Sequence, residues 1–237
     1  MAEGIVDSAV KGPEDQLFDG KFRQSLDATT APVGRWLVRI GFSADVLTAS
    51  GLVFGCATGW AIAVGHHHLA VVLLIATGFH DMFDGPVAKA SHRASQRGSY
   101  FDSVVDRLSD AALLFGAAYY LTARHHGELV MLPIGILITT FMISYQRSKA
   151  ESLGLHAKGG LMERAERMIL LGVGLLSTQI FIPVLWLLLV LTSMTAVGRF
   201  WRVWQIAARP EPPVPLVERA HYHTSRLRRG LSRTSRH

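Results

Sequence analysis

The chain has 237 residues, 49% hydrophobic and 18% charged, with a net charge of +6 and a mean hydropathy of +0.27. Soluble domains carry about 25% charged residues, so this balance excludes an ordinary soluble globule and indicates a chain that lives in a lipid bilayer. Its cations follow the loops between apolar stretches and suggest no nucleic-acid fold, so nucleic acid is not the expected partner of the basic charge.

Residues 1–28 read as a cytoplasmic N-terminal segment: Glu3, Asp7, Glu14, Asp15 and Asp19 leave no apolar core for a cleavable signal. Over 29–41, Val33, Trp36, Leu37 and Ile40 share one stripe with Arg35 and Arg39 beside it. That pattern predicts an amphipathic interfacial helix, with a short juxtamembrane linker as the plainer alternative. Windows of about 20 residues, the length that crosses a bilayer as helix, then give six transmembrane helices. They fall near 46–65, 69–89, 101–123, 128–147, 164–181 and 183–204. The expected fold is an all-α integral membrane domain over 29–204. A basic, disordered cytoplasmic tail follows over 205–237, carrying Arg226, Arg228, Arg229, Arg233 and Arg236. The single Cys56 reads as a small buried hydrophobe, and His66, His67 and His68 as a polar loop.

The loops set the orientation. Those after spans two and four carry Lys89, Arg93, Arg97, Arg147, Lys149, Lys158 and Arg164, whereas those after spans one, three and five carry only Arg124. The positive-inside rule places both termini on the cytoplasmic side of a multi-pass cell-membrane protein.

Asp81 and Asp84 end the second span, and Asp102 and Asp106 begin the third, facing the same loop. Spacings of three and four put each pair on one helix face. Ionisable groups at membrane depth are costly, so this cluster is the default functional site. Four converging carboxylates repel one another unless a cation neutralises them, and hard oxygen ligands suit Mg²⁺, Mn²⁺ or Ca²⁺. A two-ion arrangement would serve phosphoryl-type transfer, with one carboxylate left to take a proton from an attacking hydroxyl. Gly85, Ala88 and Gly98 suit the close approach of a nucleotide to helix backbone, or else ordinary helix packing. Arg147, Lys149, Arg164, Arg167 and Arg199, with Arg202, gather at the cytoplasmic ends of spans four to six, as topology anchors or as a cage for a dianionic phosphate.

The string from Asp81 to Asp106 resembles the signature of the CDP-alcohol phosphotransferase family, D-x2-D-G-x2-A-R-x8-G-x3-D-x3-D, at seven of its eight fixed positions. The departure is Lys89, which keeps the positive charge of the family's arginine without its planar fork. Further similarity lies in Asp45-Val46-Leu47-Thr48, which resembles a stretch contacting the CDP moiety, and in Ser95, six residues after Lys89. The segments 144–155 and 159–167 resemble those of actinobacterial phosphatidylinositol phosphate synthases, with Arg147-Ser-Lys149 where those show Lys-Ala-Arg.

The resemblance implies a homodimeric enzyme with Mg²⁺ or Mn²⁺, two ions, on Asp81, Asp84, Asp102 and Asp106, and with Asp106 as general base. It implies CDP-diacylglycerol contacts at Asp45, Val46, Leu47, Thr48, Gly85, Ala88, Lys89, Ser95 and Gly98. Acceptor phosphate contacts would fall at Ser144, Arg147, Lys149, Arg164, Arg167 and Arg199. The expected reaction moves a phosphatidyl group to a phosphorylated polyol, 1D-myo-inositol 3-phosphate, releasing CMP. Glycerol 3-phosphate and phosphatidylglycerol are the alternative acceptors. A cation-transport protein and a catalytically silent relative are the rivals, opposed respectively by the gathering of all four aspartates at one face and by their retention.

Overall fold

The computed structural model describes residues 32–91, 95–124, 127–155, 160 and 162–208, apart from the Lys89 side chain. The expected segment 1–28, the tail beyond residue 208, and the loop residues Arg93 and Lys158 lie outside the described residues. Residues 32–39 form a first helix, α1. It is followed by α2 (Ala44–Ala63), α3 (His67–Ala90), α4 (Gln96–Arg124), a 3₁₀ turn (Gly127–Val130), α5 (Met131–Ser152), α6 (Arg164–Leu175) and α7 (Thr178–Ala207). The described residues therefore form an all-helical protein, and four stretches are long and apolar enough to cross a membrane: Ala44–Ala63, His67–Ala88, Gly127–Ser152 and Thr178–Ala207.

Local chemistry sets the helix ends. Ser43 caps α2 by accepting the Val46 N–H at 3.3 Å, and Ser177 caps α7 by accepting that of Gln179 at 3.3 Å. Ser95 accepts the Gly98 N–H at 3.0 Å at the start of α4. Each cap satisfies one of the amides that a helix start leaves orphaned.

The helices close into a ring. α2 packs on α3 and α4, α4 on α5, α5 on α7, α7 on α6, and α6 on α3. The α2–α4 crossing is the tightest contact. A Cβ on Gly59 would run into the Ala112 carbonyl, one on Gly116 into the Gly59 carbonyl, and one on Gly55 to within 2.9 Å of Ser109 Oγ. Small residues at such crossings let backbones approach where lipid offers no hydrophobic drive for helix association. Buried Thr58 and Thr195 satisfy their hydroxyls within their own helices, on Phe54 O at 2.7 Å and on Leu191 O at 2.8 Å. Thr139 also donates to Thr192 at 2.9 Å, tying α5 to α7. Large apolar side chains, among them Trp60, Ile75, Phe115, Ile138 and Val197, point outward, the reverse of a soluble bundle and the pattern of a membrane protein.

The structure departs from the sequence reading at several places. The expected fifth span, 164–181, is a helix of only 12 residues, about 18 Å long, that ends before Ser177. The cap at Ser177 makes the break, while Pro183 lies inside α7. In α1, Leu37 is buried with Leu47, Phe83 and Val87 and Val33 packs beside them, so half of the expected interfacial stripe is docked on α2 and α3 while Trp36 and Ile40 stay exposed. Cys56 is exposed rather than buried, on the outer face of α2. His67 is no loop residue: it begins α3, buried edge-on to Tyr120 and Phe181 with ring centroids 4.7 and 5.4 Å away.

Candidate active site

The four aspartates of the signature lie on α3 and α4, which both flank α2 and come together through Asp84 and Asp102. All four are partly buried. The Asp84 and Asp102 carboxyl groups face each other, and Asp84 Oδ1 accepts the Gly85 N–H at 2.5 Å. Neither has a cationic partner among the described side chains.

Arg164, the first residue of α6, reaches across the ring to the other two. Its Nη1 donates to Asp81 Oδ2 and stands 2.7 Å from Asp106 Oδ1, while its Nε reaches Asp110 Oδ1 at 3.5 Å. Guanidinium thus sits between carboxylates of α3 and α4, and among the described residues no three His, Cys, Asp or Glu side chains are grouped as a preformed metal cage. The donor set nonetheless fits a hard divalent ion: it is all oxygen, and among the described side chains two of its carboxylates, Asp84 and Asp102, face each other and a backbone amide with no cation between them.

The expected donor contacts divide. Asp45, in the first turn of α2, meets the start of α4: a Cβ at Gly98 would stand 3.8 Å from Asp45 Oδ1 and 3.4 Å from Ser95 Oγ. Gly85 has no heavy atom within 4 Å of where a Cβ would project, an open backbone surface beside Asp84. Ala88 and Lys89 follow on the same helix. Val46 is exposed, but Leu47 is buried in the cluster under α1, and the buried Thr48 spends its hydroxyl on Ala44 O at 3.0 Å. The structure explains Ser95 as the cap of α4, a role that spacing alone did not reveal.

The cationic set divides as well. Arg167 is buried, donating to Asp110 Oδ2 at 3.3 Å and to Met162 O at 3.2 Å. Arg199, buried on α7, donates to Ile143 O at 3.1 Å and lies 3.9 Å from Glu163. A Cβ on Gly160 would come within 3.2 Å of its Nη2, so the chain before α6 runs against this arginine. Ser144 donates to Thr140 O at 3.0 Å, exposed Arg147 pairs with Glu151 at 3.0 Å, and Lys149 is exposed one turn from the end of α5. Asp110, which the sequence reading missed, is the buried hub of the arginines. Its signal was the four-residue step that continues Asp102 and Asp106 along α4.

A cleft of about 620 Å³ opens between the α2–α3 and α6–α7 turns. Gly65–Leu69 and Leu175–Thr178 line it, and no carboxylate does, so its size does not make it the reactive site.

Six helices around a carboxylate cluster met by arginines define a membrane enzyme acting on phosphate esters. The sequence profile of CDP-alcohol phosphatidyltransferase matches residues 42–204. The archaetidylinositol phosphate synthase of Methanothermobacter thermautotrophicus is 36% identical over 174 residues, which cover 70% of this chain and 86% of that protein. The crystal structure of Mycobacterium tuberculosis phosphatidylinositol phosphate synthase with CDP-DAG bound superposes with a TM-score of 0.67 at 30% identity, covering 74% of this chain and 93% of that one. The same mycobacterial enzyme in complex with manganese and citrate gives a TM-score of 0.69 at 29% identity, over 74% and 88% of the two chains. The chain belongs to the CDP-alcohol phosphatidyltransferase family and is an enzyme of that class.

Proposed function

We propose that this protein transfers the phosphatidyl group of CDP-diacylglycerol to 1D-myo-inositol 3-phosphate, giving phosphatidylinositol phosphate and CMP. The carrying observation is the juxtaposition of Asp106 with Arg164 at 2.7 Å, with Arg167 bound to the same Asp110 as Arg164. A carboxylate able to accept a proton adjoins guanidiniums able to grip a dianion, and a phosphorylated polyol is the acceptor that uses both. The two relatives support this choice, since their names share an inositol phosphate and differ in the lipid part.

In the reaction, the acceptor hydroxyl forms a bond to the phosphorus that carries the diacylglycerol. The bond from that phosphorus to the oxygen bridging to CMP breaks, and CMP leaves. Asp106 takes the hydroxyl proton. Asp45, Gly85, Lys89 and Gly98 are the donor-facing set, with open backbone at Gly85 where a diphosphate can approach. Mg²⁺ or Mn²⁺, as two ions held by Asp81, Asp84, Asp102 and Asp106, would supply charge neutralisation to the diphosphate and the leaving group.

The same reading carries the chain across the bilayer six times, with the 12-residue α6 and the residues up to Ser177 as a short fifth crossing, α1 at the interface and the aspartates facing the cytoplasm, on the strength of the loop charges. One assay tests reaction and orientation together. Sealed vesicles bearing the protein are loaded with CDP-diacylglycerol and given inositol 3-phosphate, glycerol 3-phosphate or free inositol from outside. CMP release from inositol 3-phosphate in inside-out vesicles, and its absence in right-side-out ones, is expected. Preference for glycerol 3-phosphate would move the acceptor assignment, and the opposite sidedness would reverse the topology.

A further inference from the structure

Asp110 belongs to no part of the family signature, yet it is the most enclosed carboxylate of the cluster, its side chain 8% exposed. Behind it lies apolar core: Leu113, Leu114, Ile136, Leu171 and Leu188 border the small cavity it shares with Arg167. In front of it are arginines. Oδ1 receives Arg164 Nε at 3.5 Å, and Oδ2 receives Arg167 Nη2 at 3.3 Å, with Arg107 Nη1 at 3.7 Å. One carboxylate therefore ties two arginines of the same helix turn, one per oxygen, and fixes the distance between their guanidiniums. Arg164 Nη2 is buried without a hydrogen-bond partner among the described residues, a charged donor left over beside Asp106. A buried unpaired donor on a guanidinium is costly, and an anion drawn to the site would satisfy it.

We propose that Asp110 is a positioning residue for acceptor selectivity, holding Arg164 and Arg167 at the spacing in which they grip the acceptor's phosphate. This rests on the reading above that these arginines face a phosphorylated acceptor. Asp110 itself touches neither the donor nor the reacting hydroxyl; it acts through the two guanidiniums. Without its charge, the partners left among the described residues are Asp81 and Asp106 for Arg164 and the Met162 carbonyl for Arg167. Both are then free to turn out of register with a phosphate.

The full-length enzyme in detergent or nanodiscs carries the test. For the parent, Asp110→Asn and Asp110→Glu, kcat/KM is measured for inositol 3-phosphate and for free inositol, together with the KM for CDP-diacylglycerol. Asp110→Asn should lower the ratio of phosphorylated to free acceptor about tenfold or more, the scale of a lost charge-assisted contact, while the donor KM stays within about twofold. Asp110→Glu, which keeps the charge but displaces it by one methylene, should fall between the parent and Asp110→Asn. A purely structural role would depress both acceptors and the donor alike and leave the ratio unmoved, and that result overturns the proposal. If Asp110→Asn does not fold, Asp110→Glu decides, since an unchanged ratio in it also overturns the proposal. A parent that shows no preference for the phosphorylated acceptor removes the underlying reading before any variant is compared.

Discussion

Asp106 and Asp81 share one guanidinium nitrogen, Arg164 Nη1, whereas Asp84 and Asp102 lie together and Asp110 is enclosed by arginines. The proposed reading gives the base to Asp106, 2.7 Å from the arginine proposed to hold the acceptor. Asp106→Asn should therefore lower turnover by a factor of about 10² to 10⁴ with little change in CDP-diacylglycerol affinity, because general-base catalysis is lost while donor contacts remain. Single-turnover CMP release beside equilibrium binding of the donor separates the two, and a variant that turns over like the parent would send the search for the base elsewhere. At this scale the sequence was informative where chemistry depends on spacing: three- and four-residue steps placed Asp81 with Asp84 and Asp102 with Asp106. It was less informative where chemistry depends on packing. Ser95 and Leu47 matched a family pattern by position, but only the fold shows one as a helix cap and the other as core. Arg164 was legible as a cation near the site, not as one lodged between Asp81 and Asp106.

The helices carry the aspartates into register, and the α2–α4 crossing does most of that. α2 has no residue of the aspartate signature, yet it is the neighbour that α3 and α4 share. Hydropathy made α2, α3, α5 and α7 legible, since long apolar runs have no other fate in a bilayer. It failed between α6 and α7, because only the short polar step Ser177-Thr178-Gln179 interrupts a long apolar run, and the cap at Ser177 marks the break. The ring order was also hidden, since it is written in which small residues face one another rather than in mean hydropathy. Gly59 gives the sharpest test. Its position has no room for a Cβ against the Ala112 carbonyl, and Gly116 presses on the Gly59 carbonyl from the other side. Gly59→Leu must push α2 away from α4, and overpacking of this kind costs about 1 to 3 kcal/mol or more. The expected result is a lowered thermal midpoint and lost CMP release, although the substitution touches none of the aspartates. Gly78→Leu is the control, because a Cβ there meets nothing within 4 Å and stability should stay near the parent's. Equal midpoints for the two variants would show that the crossing does not govern the fold.

For the molecule as a whole, the charge distribution is one-sided. Large apolar side chains cover the outer surface, the interior is a core of leucine, isoleucine and phenylalanine with buried threonines, and acidic groups from α3 and α4 gather at one end against arginines from α6. Carboxylates held close together favour a neutralising cation, and among the described side chains Asp84 with Asp102 is the pair that has none. A divalent ion taken up there would bind side chains from two helices and cross-link α3 to α4 at the reactive end. Metal should therefore act on stability as well as rate. Binding to the folded state alone stabilises by RT ln(1 + [L]/Kd), about 2.7 kcal/mol at a hundredfold excess over Kd. Chelation with EDTA should abolish CMP release and lower the thermal midpoint, and Mg²⁺ or Mn²⁺ should restore both. Asp84→Asn should remove most of the metal-dependent rise in midpoint, while Glu128→Gln, in the 3₁₀ turn of the α4–α5 connection, should retain it. The stability readout keeps the metal distinct from the choice of acceptor, because it needs no substrate. A midpoint indifferent to metal in the parent, with turnover intact after rigorous chelation, would mean that the carboxylates are balanced by the protein's own cations and that the reaction proceeds without an ion.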